Sequence, residues 1–193
     1  MIFMHTPIPL DEQNVIFPLP IYDGRKTRML ELGNKKNKFG TYKAFFKQQG
    51  LKHISIDING KDGAINFDLR EKIKELFPGG KWHQYFDIIT NIGTTEHVIP
   101  QGYVWQNIFN GLAVGGCLVC ITPSPGQWKS HQNFGQYPTM GFYHKFSKEN
   151  HLKVNTLYFG GKPSKELIYA RFTKISHTEL VTIDKEMIYV NRS

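Results

Sequence analysis

The chain has 193 residues and a mass of 22.3 kDa, about one domain in length and long enough to bury a sizeable core. Hydrophobic residues make up 40% and charged residues 21%, which excludes a disordered chain, a collagen-like repeat and a coiled coil. Lys and Arg number 24 against 16 Asp and Glu, a formal charge of +8 that invites an anionic partner without identifying one.

The N-terminal stretch lacks a basic n-region and is broken by Pro7, Pro9, Pro18 and Pro20, which fits neither a signal peptide nor an early helix. Residues 1–24 therefore read as an extended arm, packed along the domain or folded over a site, and residues 25–193 as one domain. From Arg28 onward, short apolar runs alternate with helix-length segments. Met29 to Leu32 is a strand ending at Gly33, and Thr41 to Gln49 is a helix with Tyr42, Phe45 and Phe46 at helical spacing. His53 to Ile58 (HISIDI) is a second strand, and Ala64 to Leu69 (AINFDL) a weak third. Arg70 to Phe77 is a short amphipathic helix closed by Pro78-Gly79-Gly80.

Tyr85 to Asn91 is the fourth strand and Gln101 to Leu112 a helix. Gly115-Gly116 then turns the chain into the most hydrophobic strand, Cys117 to Ile121. Its two cysteines, Cys117 and Cys120, are too few for a disulfide framework and point to opposite faces of a strand, so they read as buried free thiols of a cytoplasmic chain. Pro123 to Gly141 is long, irregular and rich in Gly, Pro, His and aromatics. A helix follows over Phe142 to Asn150. Two strands, Leu152 to Tyr158 and Leu167 to Phe172, are joined as a hairpin by Gly160-Gly161-Lys162-Pro163. The apolar tail Met187 to Val190 is placed on the sheet or on a second subunit. No apolar stretch approaches the roughly 18 residues of a membrane span.

This alternation predicts an α/β fold, a three-layer sandwich around a mostly parallel seven-stranded sheet with an antiparallel C-terminal hairpin strand. Ligands of such sheets bind beyond the carboxyl ends of the strands. There the sequence places Glu31-Leu32-Gly33-Asn34 after the first strand, and Asp57, 24 residues beyond Gly33, after the second. Asp68 follows the third. A glycine lets the backbone approach a ligand. An acid at that separation suits ribose hydroxyls, and an acid after the third strand suits an exocyclic amine such as that of adenine. The G-x-G-x-x-G needed to cradle a pyrophosphate is replaced by G-N-K-K-N-K, and no P-loop is present, which argues against a dinucleotide.

Taken together, these stretches resemble the class I, Rossmann-like S-adenosylmethionine-dependent methyltransferases. MLELGN is similar to the first motif of that family, HISIDI to the second, NFDLR to the third and FDIITNIGTTEHV to the fourth; AVGGCLVCITP is similar to its fifth strand with the preceding glycine turn. The likeness runs from about Met29 to Pro123 and on to Phe172. It departs from the family where Gly33 is followed by NKKNKF before Gly40, although the family carries glycines close together there. The resemblance implies methyl transfer from S-adenosyl-L-methionine, with S-adenosyl-L-homocysteine as product. It implies that Glu31, Gly33 and Asn34 border the methionine part, that Asp57 and Ile58 border the ribose, that Asp68 and Leu69 meet the adenine, and that Asn91 and Ile92 lie beneath the cofactor.

Removing a proton from a hydroxyl or ammonium acceptor needs a base. The candidates are His97 and Glu96 after the fourth strand and His131 after the fifth. His97 alternatively packs against the cofactor, and Glu96 alternatively opens the next helix. Trp128, Tyr137 and Tyr143 supply aromatic walls for a planar or apolar acceptor. No metal is expected, because the acid pairs of metal-dependent family members are poorly matched. The proline-aromatic motif of base-amino methyltransferases and the Pro-Cys of cytosine-carbon methyltransferases are absent. Between Arg25 and His53, nine Lys or Arg face one acid, Glu31, and read as a solvated surface before a phosphate-backbone patch. The acceptor is expected to be a small molecule or a sugar- or lipid-type group methylated on O or N. An RNA acceptor on the basic surface, or a non-catalytic cofactor-binding partner subunit, are the alternatives.

Overall fold

In the computed structural model, the described residues are 8–20, 24–37, 40–73, 82–125, 135–162, 165–178, 180–181 and 188–191. The first strand, β1 (Arg28–Leu32), lies inside the sheet, flanked in parallel by β4 (Lys52–Asp57) and β6 (Phe86–Ile92). Leu30 is in register with Ile54 on one side and Ile89 on the other. All seven residues of β6 are buried, as expected of a parallel strand covered on both faces. Beyond β4 lies β5 (Ile65–Asn66). Beyond β6 come β7 (Leu112–Pro123), β10 (Lys165–Lys174) and β9 (Leu152–Lys162), the last two antiparallel. The resulting seven-stranded order is β5-β4-β1-β6-β7-β10-β9. The chain runs outward from β1 through β4 and β5, then restarts on its other side at β6, so the switch point falls between β1 and β6.

Alternation along the strands sorts side chains into two cores. Leu30, Leu32, Ile89, Leu118 and Cys120 face α3 (Gly102–Gly111) and α4 (Met140–Glu149), where Trp105 packs 4.8 Å from Phe142 and 5.2 Å from Phe146. Met29, Ile88, Cys117, Val119 and Ile121 face α1 (Leu10–Ile16) and α2 (Tyr42–Gln48). Helices therefore cover both faces, giving the three-layer sandwich. Burying a side chain of this size is worth roughly 1.5–3 kcal/mol. Thr41 caps α2, its Oγ1 accepting the Ala44 N–H at 3.3 Å, and Thr139 caps α4, accepting the Phe142 N–H at 2.9 Å. Cys117 and Cys120 are free, buried and on opposite faces of β7.

Several local expectations need correction. The N-terminal segment is not wholly extended: α1 forms between Pro9, which is its N-cap, and Pro18, so both rings lie outside the hydrogen-bonded turns and break nothing. The third strand shrinks to two residues, and Arg70 lies in a turn, whereas residues 74–77 of the expected helix lie outside the described set. Gly115 and Gly116 do not precede the fifth strand but lie inside β7, where the pairing with β6 jumps between Phe86–Leu112 and Ile88–Cys117. The lysine-rich loop after β1 carries a small ladder, β2 (Lys36–Asn37) with β3 (Gly40–Thr41). The tail strand β11 (Ile188–Asn191) pairs with β8 (Gly135–Pro138) in a separate two-stranded sheet. No helix of the described residues is long and apolar enough to cross a membrane.

Candidate functional site

The carboxyl ends of β1, β4 and β6 open into a cavity of about 640 Å³. Gly33 and Gly93 follow β1 and β6 at positive φ (71° and 66°), so the chain turns sharply away from the sheet at both places. A Cβ on Gly33 would overlap Thr94 Oγ1, the hydroxyl that donates to Leu32 O at 2.8 Å. Glycine is thus required because the two turns are laced together.

Asp57, at the end of β4, accepts the Asn34 N–H on Oδ2 at 3.2 Å and the Asn59 N–H on Oδ1 at 3.0 Å. Each oxygen keeps acceptor capacity, and the half-buried side chain lies on the cavity wall. Next to it Ile58 is 65% exposed, forming an apolar wall with Phe67, Leu69, Val98 and Ile99. Asp68 also lines the cavity, but its carboxylate is gripped by Arg70 through the backbone N–H at 2.9 Å and through Nε at 2.9 Å, and the guanidinium holds it below the usual carboxylate range.

A second cavity of about 280 Å³ shares Lys35, Ile92, Gly93 and His97 with the first. Glu12 of α1, Glu96, Tyr137 of β8, Ile121, Pro123 and Leu167 complete its wall. The Glu96 side chain is 2% exposed, and its Oε2 has no hydrogen-bond partner among the described residues. Burial pushes its carboxyl up to about 7, against the opposing pull of Lys35. His97 is 49% exposed on its side chain, with Nε2 3.9 Å from Glu96 Oε1, and burial lowers its imidazole from the ordinary value. Burial also raises Glu12, although Tyr42 Oη donates to its Oε2 at 2.8 Å.

The structure thus brings Gly33, Asn34, Asp57, Ile58, Asp68, Leu69, Ile92 and His97 to the larger cavity, and Glu96, His97, Ile92 and Tyr137 to the smaller one. Three other residues sit behind these walls. Glu31 is buried, accepting the Lys35 N–H at 3.0 Å with Oε2 lying 3.0 Å from His53 Nε2. Asn91 binds Thr95, donating to its Oγ1 at 2.8 Å and accepting its N–H at 3.1 Å, and so holds the 3-10 turn Thr95–His97. Tyr143 is buried among the aromatics of α4 with its hydroxyl 3.0 Å from Thr122 Oγ1. Trp128 and His131 lie outside the described residues. No group of three or more His, Cys, Asp or Glu placed to hold a metal occurs among the described residues.

Sequence reasoning did not find Glu12, Thr94 or Gln101. Glu12 shares one helical face with the apolar pair Val15 and Ile16, a spacing hidden by the flanking prolines. Gln101 ties the turn carrying Glu96 to β8, donating through Nε2 to Thr95 O at 2.6 Å and to Gln136 O at 2.5 Å, while its Oε1 accepts the Trp105 Nε1–H.

Strand order, the switch point and the cavity beyond β1, β4 and β6 define the fold of the class I, Rossmann-like S-adenosylmethionine-dependent methyltransferases. Solved structures share it. The Burkholderia thailandensis 1,6-didemethyltoxoflavin-N1-methyltransferase, with 1,6-didemethyltoxoflavin and S-adenosylhomocysteine bound, superposes at a TM-score of 0.57 with 14% identity, over 79% of this chain and 73% of that one. Geranyl diphosphate C-methyltransferase from Streptomyces coelicolor gives 0.54 with 12% identity, over 79% and 76%. The 16S rRNA (adenine(1408)-N(1))-methyltransferase from Catenulisporales acidiphilia gives 0.53 with 8% identity, over 79% and 87%. No protein-family model matches the sequence, and neither does any curated protein.

Proposed function

We propose that the chain is an S-adenosylmethionine-dependent methyltransferase that takes its methyl donor in the larger cavity and a small acceptor in the smaller one. The observation that carries this reading is the shared wall: Lys35, Ile92, Gly93 and His97 border both cavities, so a group held in one meets a group held in the other.

The residues fit the donor. Asp57 offers two oriented oxygens to a ribose diol. Ile58, Phe67 and Leu69 offer apolar surface to a purine, with Asp68 beside them. Gly33 and Asn34 leave the backbone open to the methionine portion, and the Lys35 ammonium lies near enough to attract its carboxylate. When bound, S-adenosylmethionine supplies an electrophilic methyl group on a sulfonium.

The chain's own work is placement and proton removal. The acceptor's N–H or O–H donates to Glu96, whose buried Oε2 has no partner among the described residues, and the carboxylate takes the proton. His97 is the route outward, since it lies beside Glu96 and reaches solvent. Ile92 and Ile121 exclude water from the transfer path. The test is turnover: purified protein with S-adenosylmethionine and a small-acceptor panel releases S-adenosylhomocysteine, and the Glu96→Gln variant binds S-adenosylhomocysteine normally but turns over at least about 100-fold more slowly. Wild-type turnover in Glu96→Gln removes Glu96 from the role of base.

A further inference from the structure

We infer that the acceptor is a small primary or secondary amine with a short apolar body, its nitrogen held between Glu12 and Glu96. This rests on the methyltransferase reading and deepens it.

The chain as a whole is basic, +8, yet the acceptor cavity is walled by two nearly buried acids from distant parts of the sequence. Glu12 comes from α1, and Glu96 from the turn after β6. The Tyr42 hydroxyl satisfies one Glu12 oxygen, and Glu96 Oε2 has no partner among the described residues. The one lysine on the wall, Lys35, also borders the donor cavity, where the carboxylate of a bound donor engages it. Two carboxylates with open lone pairs then face the acceptor, and carboxylates only accept. A hydroxyl brings one hydrogen and no charge, leaving a buried acid unpaired, which is costly. An ammonium brings two or three hydrogens and the compensating charge. The apolar part of the wall, Ile121, Pro123 and Leu167, takes an apolar body, and Tyr137 adds an aromatic ring to the same cavity. At about 280 Å³ the cavity falls just below the range that holds drug-sized ligands, so the amine is small.

The step balances. The ammonium gives one proton to a Glu96 oxygen and becomes a neutral amine. Its lone pair forms the new N–C bond as the carbon–sulfur bond breaks. That bond pair returns to sulfur, which leaves as a neutral thioether, and the product is the methylated ammonium. Glu96 passes its proton through His97 to water.

Benzylamine, benzyl alcohol and benzoate probe the inference. S-Adenosylhomocysteine binding is first measured by calorimetry, because its absence overturns the methyltransferase reading itself. With S-adenosylhomocysteine saturating, benzylamine is expected to bind, benzoate not to bind, and benzyl alcohol to bind at least about tenfold more weakly than the amine. Glu12→Gln, which can still accept from Tyr42, is expected to weaken benzylamine by about tenfold or more while leaving S-adenosylhomocysteine affinity unchanged. Glu12→Asp is expected to recover part of the loss. Failure of benzylamine to bind a chain that binds S-adenosylhomocysteine overturns the amine inference alone. So does alcohol or benzoate binding as tight as the amine, or indifference of amine binding to Glu12→Gln.

Discussion

Asp57 Oδ2 accepts the backbone N–H of Asn34 at 3.2 Å, joining the end of β4 to the turn after β1. With the Asn59 N–H on its other oxygen, the carboxylate is fixed by main-chain donors before any ligand arrives. Asp57→Asn can satisfy only one of the two amides with its remaining oxygen. The expected cost is about 1–2 kcal/mol, read as a melting-temperature drop of a few degrees. An unchanged melting temperature would mean that the turn is held elsewhere.

Glu96 makes the protein's behaviour pH-dependent in two ways. As the proposed base it works ionised, so turnover is expected to rise with pH through about 7 and then level off. Lys35, Glu12, His97 and Tyr137 are the other charged or titratable groups that line its cavity. For stability the sign is opposite. The folded carboxyl sits near 7 against an ordinary 4.5, so the folded state binds the extra proton between those values. The stability it contributes is present below 4.5 and is lost as pH rises through about 7. Thermal unfolding across that window should show a loss that Glu96→Gln abolishes.

Gly33 and Thr94 are coupled. Gly33→Ala puts a Cβ onto Thr94 Oγ1 and leaves a non-glycine residue at φ 71°. A loss of about 2–4 kcal/mol is expected from the combined clash and strain. Adding Thr94→Ala removes the clash but not the strain, so the double variant should be more stable than Gly33→Ala alone. Strict additivity in a double-mutant cycle would contradict the lacing of the two turns.

Under the proposed mechanism Gln101 is a positioning residue for Glu96, and it lines neither cavity. Gln101→Ala keeps the backbone N–H bond to Gln136 Oε1 but leaves the Thr95 and Gln136 carbonyls without the side-chain donor that links the turn Thr95–His97 to β8. Turnover is expected to fall about tenfold or more with donor binding unchanged, and the midpoint of the pH–rate profile to shift. A variant with reduced turnover but the original midpoint would assign Gln101 to stability alone.

What was legible in the sequence follows from which residues see two packed faces. β1, β4, β6 and the end of β7 each pair with a strand on both sides, so Leu, Ile and Val recur along them even where polar residues such as Ser55 and Thr90 intervene, and Asp57, closing β4, stands out against them. The positions of Asp57 and Ile58 on the wall of the larger cavity were readable for that reason. Tyr143 was not: its place in a helix, with Phe142 and Phe146 stacked at 5.7 Å, turns it into the core rather than toward an acceptor. Glu12 was hidden because prolines mask a helix they merely bound. The Arg70 grip on Asp68 and the Asn91 bonds to Thr95 are tertiary satisfactions of polar groups, which no spacing rule reveals. The β5 strand was overestimated because an edge position needs only two paired residues to continue the sheet.

The most direct measurement is calorimetric titration of the full chain with S-adenosylhomocysteine. Saturable binding of one molecule per chain is predicted, weakened at least about tenfold in Asp57→Ala through loss of the carboxylate proposed to hold the ribose. No binding, or equal binding by Asp57→Ala, would contradict the assignment of the larger cavity to a methyl donor.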